Sequence, residues 1–315
     1  MIALTQLICG LVILILGAEV TVRGSVALAR NMGVPTLIIG LTIVALGTSA
    51  PEMVVSIQAV LQGMPALSLG NIIGSNIANI LLALGLTAVI FPIAVSPRIF
   101  RRDTPWMAAA TLGFCACLFG GPITRLYGAG LLILLASYLA VLFWKGLTEP
   151  KDDPLIAELW PSWKALVGIV VGLFGLVAGS DLLVVGASAL ASALGVSESL
   201  IGLTVAAVGT SAPEIFTCAM SAYRKHPDIA LGNIVGSNLF NVTLVPGVAA
   251  LVQPIEVAEV FTRYDVWILL GATALITAFV LTTRKIGRAQ GVLLMGCYVA
   301  FTLWQIALGQ GGSGS

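Results

Sequence analysis

Charge is what this chain has least of. Only 9% of its 315 residues are Asp, Glu, Lys or Arg, against about 25% in soluble domains, which excludes an ordinary water-soluble fold. What charge there is sums to +1, so no basic surface for nucleic acid is built. Histidine is nearly missing. His226 is the only one, in the turn Arg224-Lys225-His226, where a solvated loop is its default setting, and it leaves no Ser/His or metal/His constellation for a membrane hydrolase. Cysteine is sparse and odd in number: Cys9, Cys115, Cys117, Cys218 and Cys297 lie in apolar segments without CxxC spacing. That excludes a disulfide framework and a thiolate metal site, and the five read as small buried hydrophobes.

Apolar residues are abundant instead. They make up 58% of the chain, with a mean hydropathy of +1.06, which marks an integral membrane protein. A spanning helix needs about 20 apolar residues. With turn residues and charges as punctuation, spans are predicted near 3–29, 35–62, 66–94, 104–120, 123–145, 162–193, 198–223, 228–252, 264–283 and 287–308. The expected fold class is therefore an all-α integral membrane protein of ten transmembrane helices. A polar linker over 146–161, containing Glu149-Pro150-Lys151-Asp152-Asp153-Pro154, separates a first five-span unit, 1–145, from a second, 162–310. Residues 311–315, Gly-Gly-Ser-Gly-Ser, read as an expression scar. The first span lacks the basic start of a signal peptide and is expected to stay as a helix.

Basic residues orient the bundle. Arg23, Arg30, Arg98, Arg101, Arg102, Lys145, Lys151, Lys164, Arg224, Lys225, Arg284, Lys285 and Arg288 fall on one side; only Arg125 and Arg263 fall on the other. The richer side is expected to be cytoplasmic, with both termini outside it and the protein in the cell inner (plasma) membrane. Five spans per unit is an odd number, so the second unit enters the membrane in the opposite sense. Two inverted five-helix repeats follow, an arrangement typical of secondary transporters that bind cargo at the midplane.

The chain also says one thing twice. Gly47-Thr48-Ser49-Ala50-Pro51-Glu52 returns as Gly209-Thr210-Ser211-Ala212-Pro213-Glu214, and Gly70-Asn71-Ile72-Ile73-Gly74-Ser75-Asn76 returns as Gly232-Asn233-Ile234-Val235-Gly236-Ser237-Asn238. Both copies are offset by 162, and 40–79 matches 202–241 at 19 of 40 positions without a gap. A repeat kept for packing would preserve Leu and Ala, whereas this one preserves carboxylate, hydroxyl, amide, Gly and Pro.

Those letters predict a broken helix. Pro51 has no N–H, and its ring clashes with the carbonyl four residues back, at Gly47. Carbonyls from Ala45 to Thr48 are expected to be freed beside the Thr48 and Ser49 hydroxyls and the Glu52 carboxylate, with the same at Ala207, Thr210, Ser211, Pro213 and Glu214. Exposed backbone at membrane depth survives only inside protein or against a wet cavity. The helices that follow carry Gly70-x-x-x-Gly74 and Gly232-x-x-x-Gly236, a spacing that permits close approach but is common in membrane helices. Ser75 with Asn79, and Ser237 with Asn241, stand four apart and face one way. A carboxylate in mid-membrane is expensive and by default functional. Two of them, with hydroxyl, amide and carbonyl oxygens and no converging Cys or His, suit sodium, calcium or magnesium rather than zinc or copper.

The paired motifs, G-T-S-x-P-E followed by G-N-x-x-G-S-x-x-x-N, resemble the alpha repeats of the sodium/calcium exchanger family, within the calcium/cation antiporters, and the likeness covers nearly the whole chain. The resemblance implies that Glu52 and Glu214 bind calcium directly, assisted by Thr48 and Thr210. It assigns sodium to Ser49, Ser211, Ser75, Ser237 and the carbonyls of Ala45 and Ala207, with Asn79 and Asn241 flanking a central position. Relatives often carry Asp at the Asn241 position, and the potassium-dependent branch does so, so the amide argues for exchange without potassium. The expectation is a non-enzymatic antiporter of the prokaryotic type, a monomer in membrane lipid, with calcium and sodium as cargo and no cofactor. A calcium/proton antiporter and a cation channel are the competing readings. Among the remaining acids, Glu19 is expected to pair with Arg23, its neighbour at i+4, Asp152-Asp153 to sit in a wet linker, and Asp181 has no nearby base.

Overall fold

The computed structural model describes residues 2–97, 99–146, 160–194 and 207–311. Arg98 and Lys151 of the charge pattern, most of the 146–161 linker, the first part of the expected 198–223 span and residues 312–315 lie outside the described residues. Twelve helices are described: α1 (Ile2–Met32), α2 (Thr36–Thr48), α3 (Ala50–Leu61), α4 (Pro65–Ile90), α5 (Thr104–Phe119), α6 (Arg125–Gly146), α7 (Ser162–Ala193), α8 (Ala207–Thr210), α9 (Ala212–Tyr223), α10 (Pro227–Val252), α11 (Val266–Thr283) and α12 (Arg288–Gly311).

The protein is all-helical and membrane-spanning. Seven of its helices are long and apolar enough to cross a bilayer, or eight if α2 and α3, bent by 41° at Ser49, count as one broken span. The other two expected spans fall short for identifiable reasons. Thr104–Phe119 is a helix of 16 residues, below the length a crossing requires, and the 198–223 segment is described only from Ala207 onward.

Burial ranks the helices. In α4 and α10, which carry the second motif, 78% and 83% of the most apolar 18-residue stretch is buried inside the protein; in α1, α6, α7, α11 and α12 the share is 33% or less. The motif helices form the centre, and the outer ones turn apolar faces such as Val170, Phe174 and Leu303 outward.

α1 and α7 pack most intimately, and glycine is the reason. A Cβ on Gly10 would sit 2.7 Å from the Gly179 carbonyl oxygen, on Gly17 2.9 Å from that of Gly172, and on Gly24 2.8 Å from that of Ala165. The contacts run antiparallel, and no side chain larger than hydrogen fits. Gly10, Gly17 and Gly24 recur at the 162 offset as Gly172, Gly179 and Gly186, so a seven-residue glycine seam on one helix meets its own copy on the other.

Two short strand pairings clip the loops. β1 (Ile93–Ala94) runs antiparallel to β2 (Lys285–Ile286), while Ile123 bridges Ile255 through bonds of 2.9 and 3.1 Å. Positions 93 and 255, and positions 123 and 285, are again 162 apart. So are the π-helical turns Ile99–Asp103 and Phe261–Asp265 that precede α5 and α11. The repeat reaches well beyond its motifs.

Candidate cation site

The break between α2 and α3 falls at Ser49, whose φ of −82° and ψ of 3° leave the helical well. Ser211, between α8 and α9, adopts −85° and 2°. The same six letters thus bend the chain in the same way twice. Pro51 and Pro213 then occupy the first turn of α3 and α9, where a missing N–H costs nothing. Glu52 and Glu214 follow in that turn, at the positive end of each helix dipole, which favours a negative charge. Both glutamates are fully buried.

The carbonyls near the breaks find partners. Ala45 O accepts the Ser49 N–H at 3.0 Å, with Thr48 Oγ1 at 3.4 Å and Ser237 Oγ at 3.5 Å also directed at it. The Gly209 carbonyl, opposite the Pro213 ring, accepts a hydrogen bond from Ser180 of α7. Gly47 and Gly209 both press against α7: a Cβ on either would collide with Leu173 or Val184.

The hydroxyls and carboxylates then meet across the two halves. Ser49 donates to Glu214 Oε1 at 3.2 Å. Thr48 donates to Asn233 Oδ1 at 3.1 Å and lies 3.3 Å from Ser237 Oγ. These contacts join residues 165 to 189 positions apart. Around Glu52 fewer bonds form. Asn71 Nδ2 donates to the Glu52 main-chain oxygen at 3.1 Å and to Ser56 Oγ at 3.0 Å. Ser75 neighbours the Glu52 carboxylate without completing a hydrogen bond, and the two glutamates are close enough to repel.

Several expected site residues carry buried polar atoms with no hydrogen-bond partner among the described residues: both Glu52 carboxylate oxygens, Glu214 Oε2, Ser75 Oγ, Ser211 Oγ, and the side-chain amides of Asn79 and Asn241. An unsatisfied buried acceptor is costly, and a cation satisfies several at once. Thr210 lines a cavity of about 450 Å³ that also touches Asn71, Gly74, Asp265 and Gln305. Ala207 is placed at the start of α8.

Asn71 and Asn233 were not singled out from the sequence as site residues, although the repeated Gly-Asn pair was the available signal. Asn76 and Asn238, also repeated, carry buried amide atoms without partners. Just past Asn79 and Asn241 the two central helices are disturbed by different means: α4 has a π turn at Asn79–Ala83, and α10 has Pro246 inside the helix. Both devices disrupt regular backbone bonding beside the site. Glu19 lies outside this cluster. It pairs with Arg23 at 2.5 Å, as expected, and also with Arg224. Asp181 is exposed on α7.

A helical membrane bundle with paired carboxylates and many oxygen donors at its centre defines a class: a cation transporter. Comparison with known proteins gives the family. The family described as sodium/calcium exchanger protein matches residues 2–144 and 164–307. The chain is 38% identical to the Alkalimonas amylolytica protein CaxA over 311 residues, covering 96% of this chain and 98% of that one. It is 30% identical to the sodium/calcium exchanger MaX1 of Methanosarcina acetivorans over 342 residues, covering 94% and 96%. A solved structure of the sodium-calcium exchanger NCX_Mj, soaked with sodium and strontium, superposes with a TM-score of 0.83 at 32% identity, covering 95% of this chain and 97% of that one. The chain belongs to the sodium/calcium exchanger family, a family of cation antiporters.

Proposed function

We propose that this protein is a secondary active antiporter exchanging calcium for sodium by alternating access at the Glu52–Glu214 site. One observation carries the reading: two fully buried carboxylates are brought into one cluster, with no ion-pair partner for either among the described residues. An empty site would hold about −2 at mid-membrane, and occluding that charge is costly. The protein then changes sides readily only when loaded, either with one calcium ion or with several sodium ions. Obligatory exchange follows from electrostatics alone.

The ligand set follows the division of roles seen in the family motif. Glu52 and Glu214, with Thr48 and Thr210, hold calcium; Ser49, Ser211, Ser75, Ser237 and the Ala45 and Ala207 carbonyls hold sodium; Asn79 and Asn241 border the central position. The neutral Asn241 adds no third charge, so one fewer monovalent ion is needed to balance the occluded site, and potassium is not required. The unequal state of the two halves supports alternating access. The Glu214 half is knitted to α2 by Ser49 and Thr48, whereas Glu52 keeps two unpartnered oxygens and Thr210 borders a cavity.

Ten spans in two inverted repeats, 1–145 and 162–310, complete the reading. It is supported by the antiparallel meeting of α1 with its copy α7, by the two offset loop clips and by the paired π turns. The protein would sit as a monomer in the cell inner membrane, with both termini and the 310 end outside and the 146–161 linker in the cytoplasm. Calcium uptake into proteoliposomes under imposed gradients tests the function. Uptake should follow an outward sodium gradient with potassium absent from both sides. Uptake driven only by a proton gradient, or only once potassium is added, would reject the proposed coupling.

A further inference from the structure

A second polar site, with no lining residue in common with the glutamate cluster, lies at the end of α1 that carries its basic residues. A cavity of about 290 Å³ opens between α1 and the turn from α9 to α10, with Arg30, Arg224 and His226 around it, Val26 and Ala27 on the α1 side, and Trp160 as a wall. Arg23 lines it too. The Glu19 carboxylate holds Arg23 and Arg224 together. Lys164 lies 4.9 Å from the Trp160 ring centroid. Three guanidinium groups line the cavity (Arg23, Arg30, Arg224) against the one Glu19 carboxylate bonded to two of them, an excess of two positive charges. Arg30 is half-buried.

We propose that this pocket holds the phosphate-bearing headgroup of an anionic membrane phospholipid, which ties α1 to the α9–α10 turn. Guanidinium groups match phosphate oxygens bidentately and are weakly hydrated, so they bind this group well at an interface. Basic pockets between membrane helices are suited to such headgroups. Three features favour a lipid over free phosphate. The cavity has apolar walls on the α1 side. Aromatic residues cluster at the same level, with Trp163 and Tyr223 exposed beside Trp160 and Arg224, as aromatic side chains do at headgroup depth. From there an exposed apolar face runs into the bilayer along α7 through Val167, Val170 and Phe174, where an acyl chain can lie. Glu19 holds Arg23 and Arg224 facing the pocket and leaves Arg30 to meet the ligand. The inference does not depend on which ions are exchanged.

Native mass spectrometry of the intact protein, titrated with phosphatidylglycerol, phosphatidylcholine or inorganic phosphate, tests it. Phosphatidylglycerol should be retained at least about tenfold more tightly than phosphatidylcholine, and Arg30→Gln should remove most of that preference. Arg30→Lys, which keeps the charge but loses the fork, should fall between the two, and it serves if the Gln variant folds poorly. Lys285→Gln, which removes a basic residue outside the pocket, should bind as the parent does. Equal retention of phosphatidylglycerol by the parent and both Arg30 variants would overturn the proposal. So would inorganic phosphate occupying the site in place of the lipid at equal concentration, or an equal loss in Lys285→Gln.

Discussion

A single carboxylate buried in hydrocarbon is normally neutralised by a partner or abandoned. Glu52 and Glu214 are kept as a close pair without a cationic side chain beside them among the described residues. Such an arrangement trades stability for function, which gives a two-part test. Glu52→Gln and Glu214→Gln preserve volume while removing charge, so each should lower sodium-driven calcium flux to below about 1% of the parent. In buffer without cargo ions the same variants should melt no lower than the parent, because a repulsive buried pair has been relieved. Calcium should raise the melting temperature of the parent only, since a ligand stabilises just the state that binds it. A variant that folds well and still exchanges calcium at the parent rate would show the site is elsewhere. At this scale repetition in the sequence marks Glu52, Glu214, Ser75, Ser211, Asn79 and Asn241, and each of them carries a buried polar atom without a partner among the described residues. Asn71 and Asn233 are repeated too, but only the fold shows their amides reaching Ser56 and Thr48.

Helices here are shaped by small residues and by deliberate breaks. Pro51 and Pro213 forecast the bends at Ser49 and Ser211 from covalent geometry alone. The π turn at Asn79–Ala83 had no comparable signal, because a π bulge arises from crowding between neighbours rather than from a residue type. The α1–α7 seam is intermediate. Its seven-residue glycine spacing is plain in the letters, but a partner helix 162 residues away is not. The seam carries its own prediction. A Cβ on Gly172 would collide with Thr21 Oγ1 and lie 2.7 Å from the Gly17 carbonyl oxygen. Gly172→Val should therefore destabilise by about 1–3 kcal/mol and lower the melting temperature in detergent. Gly271→Ala is the control, since among the described residues nothing lies within 4 Å of that Cβ, and it should be neutral or slightly stabilising. Equal melting of the two variants would mean the seam does not set stability.

Orientation belongs to the whole molecule. The excess of thirteen basic residues over two favours a cytoplasmic place for one face, an orientation we propose and a single experiment decides. In a background free of native cysteines, Lys225→Cys should resist an impermeant thiol reagent in intact cells and react in inverted vesicles. Gln62→Cys, in the exposed turn between α3 and α4, should do the reverse. The opposite pattern would turn the protein over and reverse the inferred direction of calcium movement.

By itself the sequence determined the solvent, the family, the duplicated polar letters and the two helix breaks. Each of these follows from composition, from local covalent geometry, or from letters compared along one chain. Only the tertiary structure decided which oxygens meet. Ser49 reaches Glu214, and Thr48 reaches Asn233, across 165 and 185 residues, a pairing fixed by how α2 lies on α10 and α9. It also decided that near-identical motifs stand in unequal surroundings, with one Glu214 oxygen engaged by Ser49 and both of those of Glu52 left open. Matching letters specify the same local bend twice. What surrounds each copy depends on the rest of the chain packed against it, and that packing is not a property of either motif.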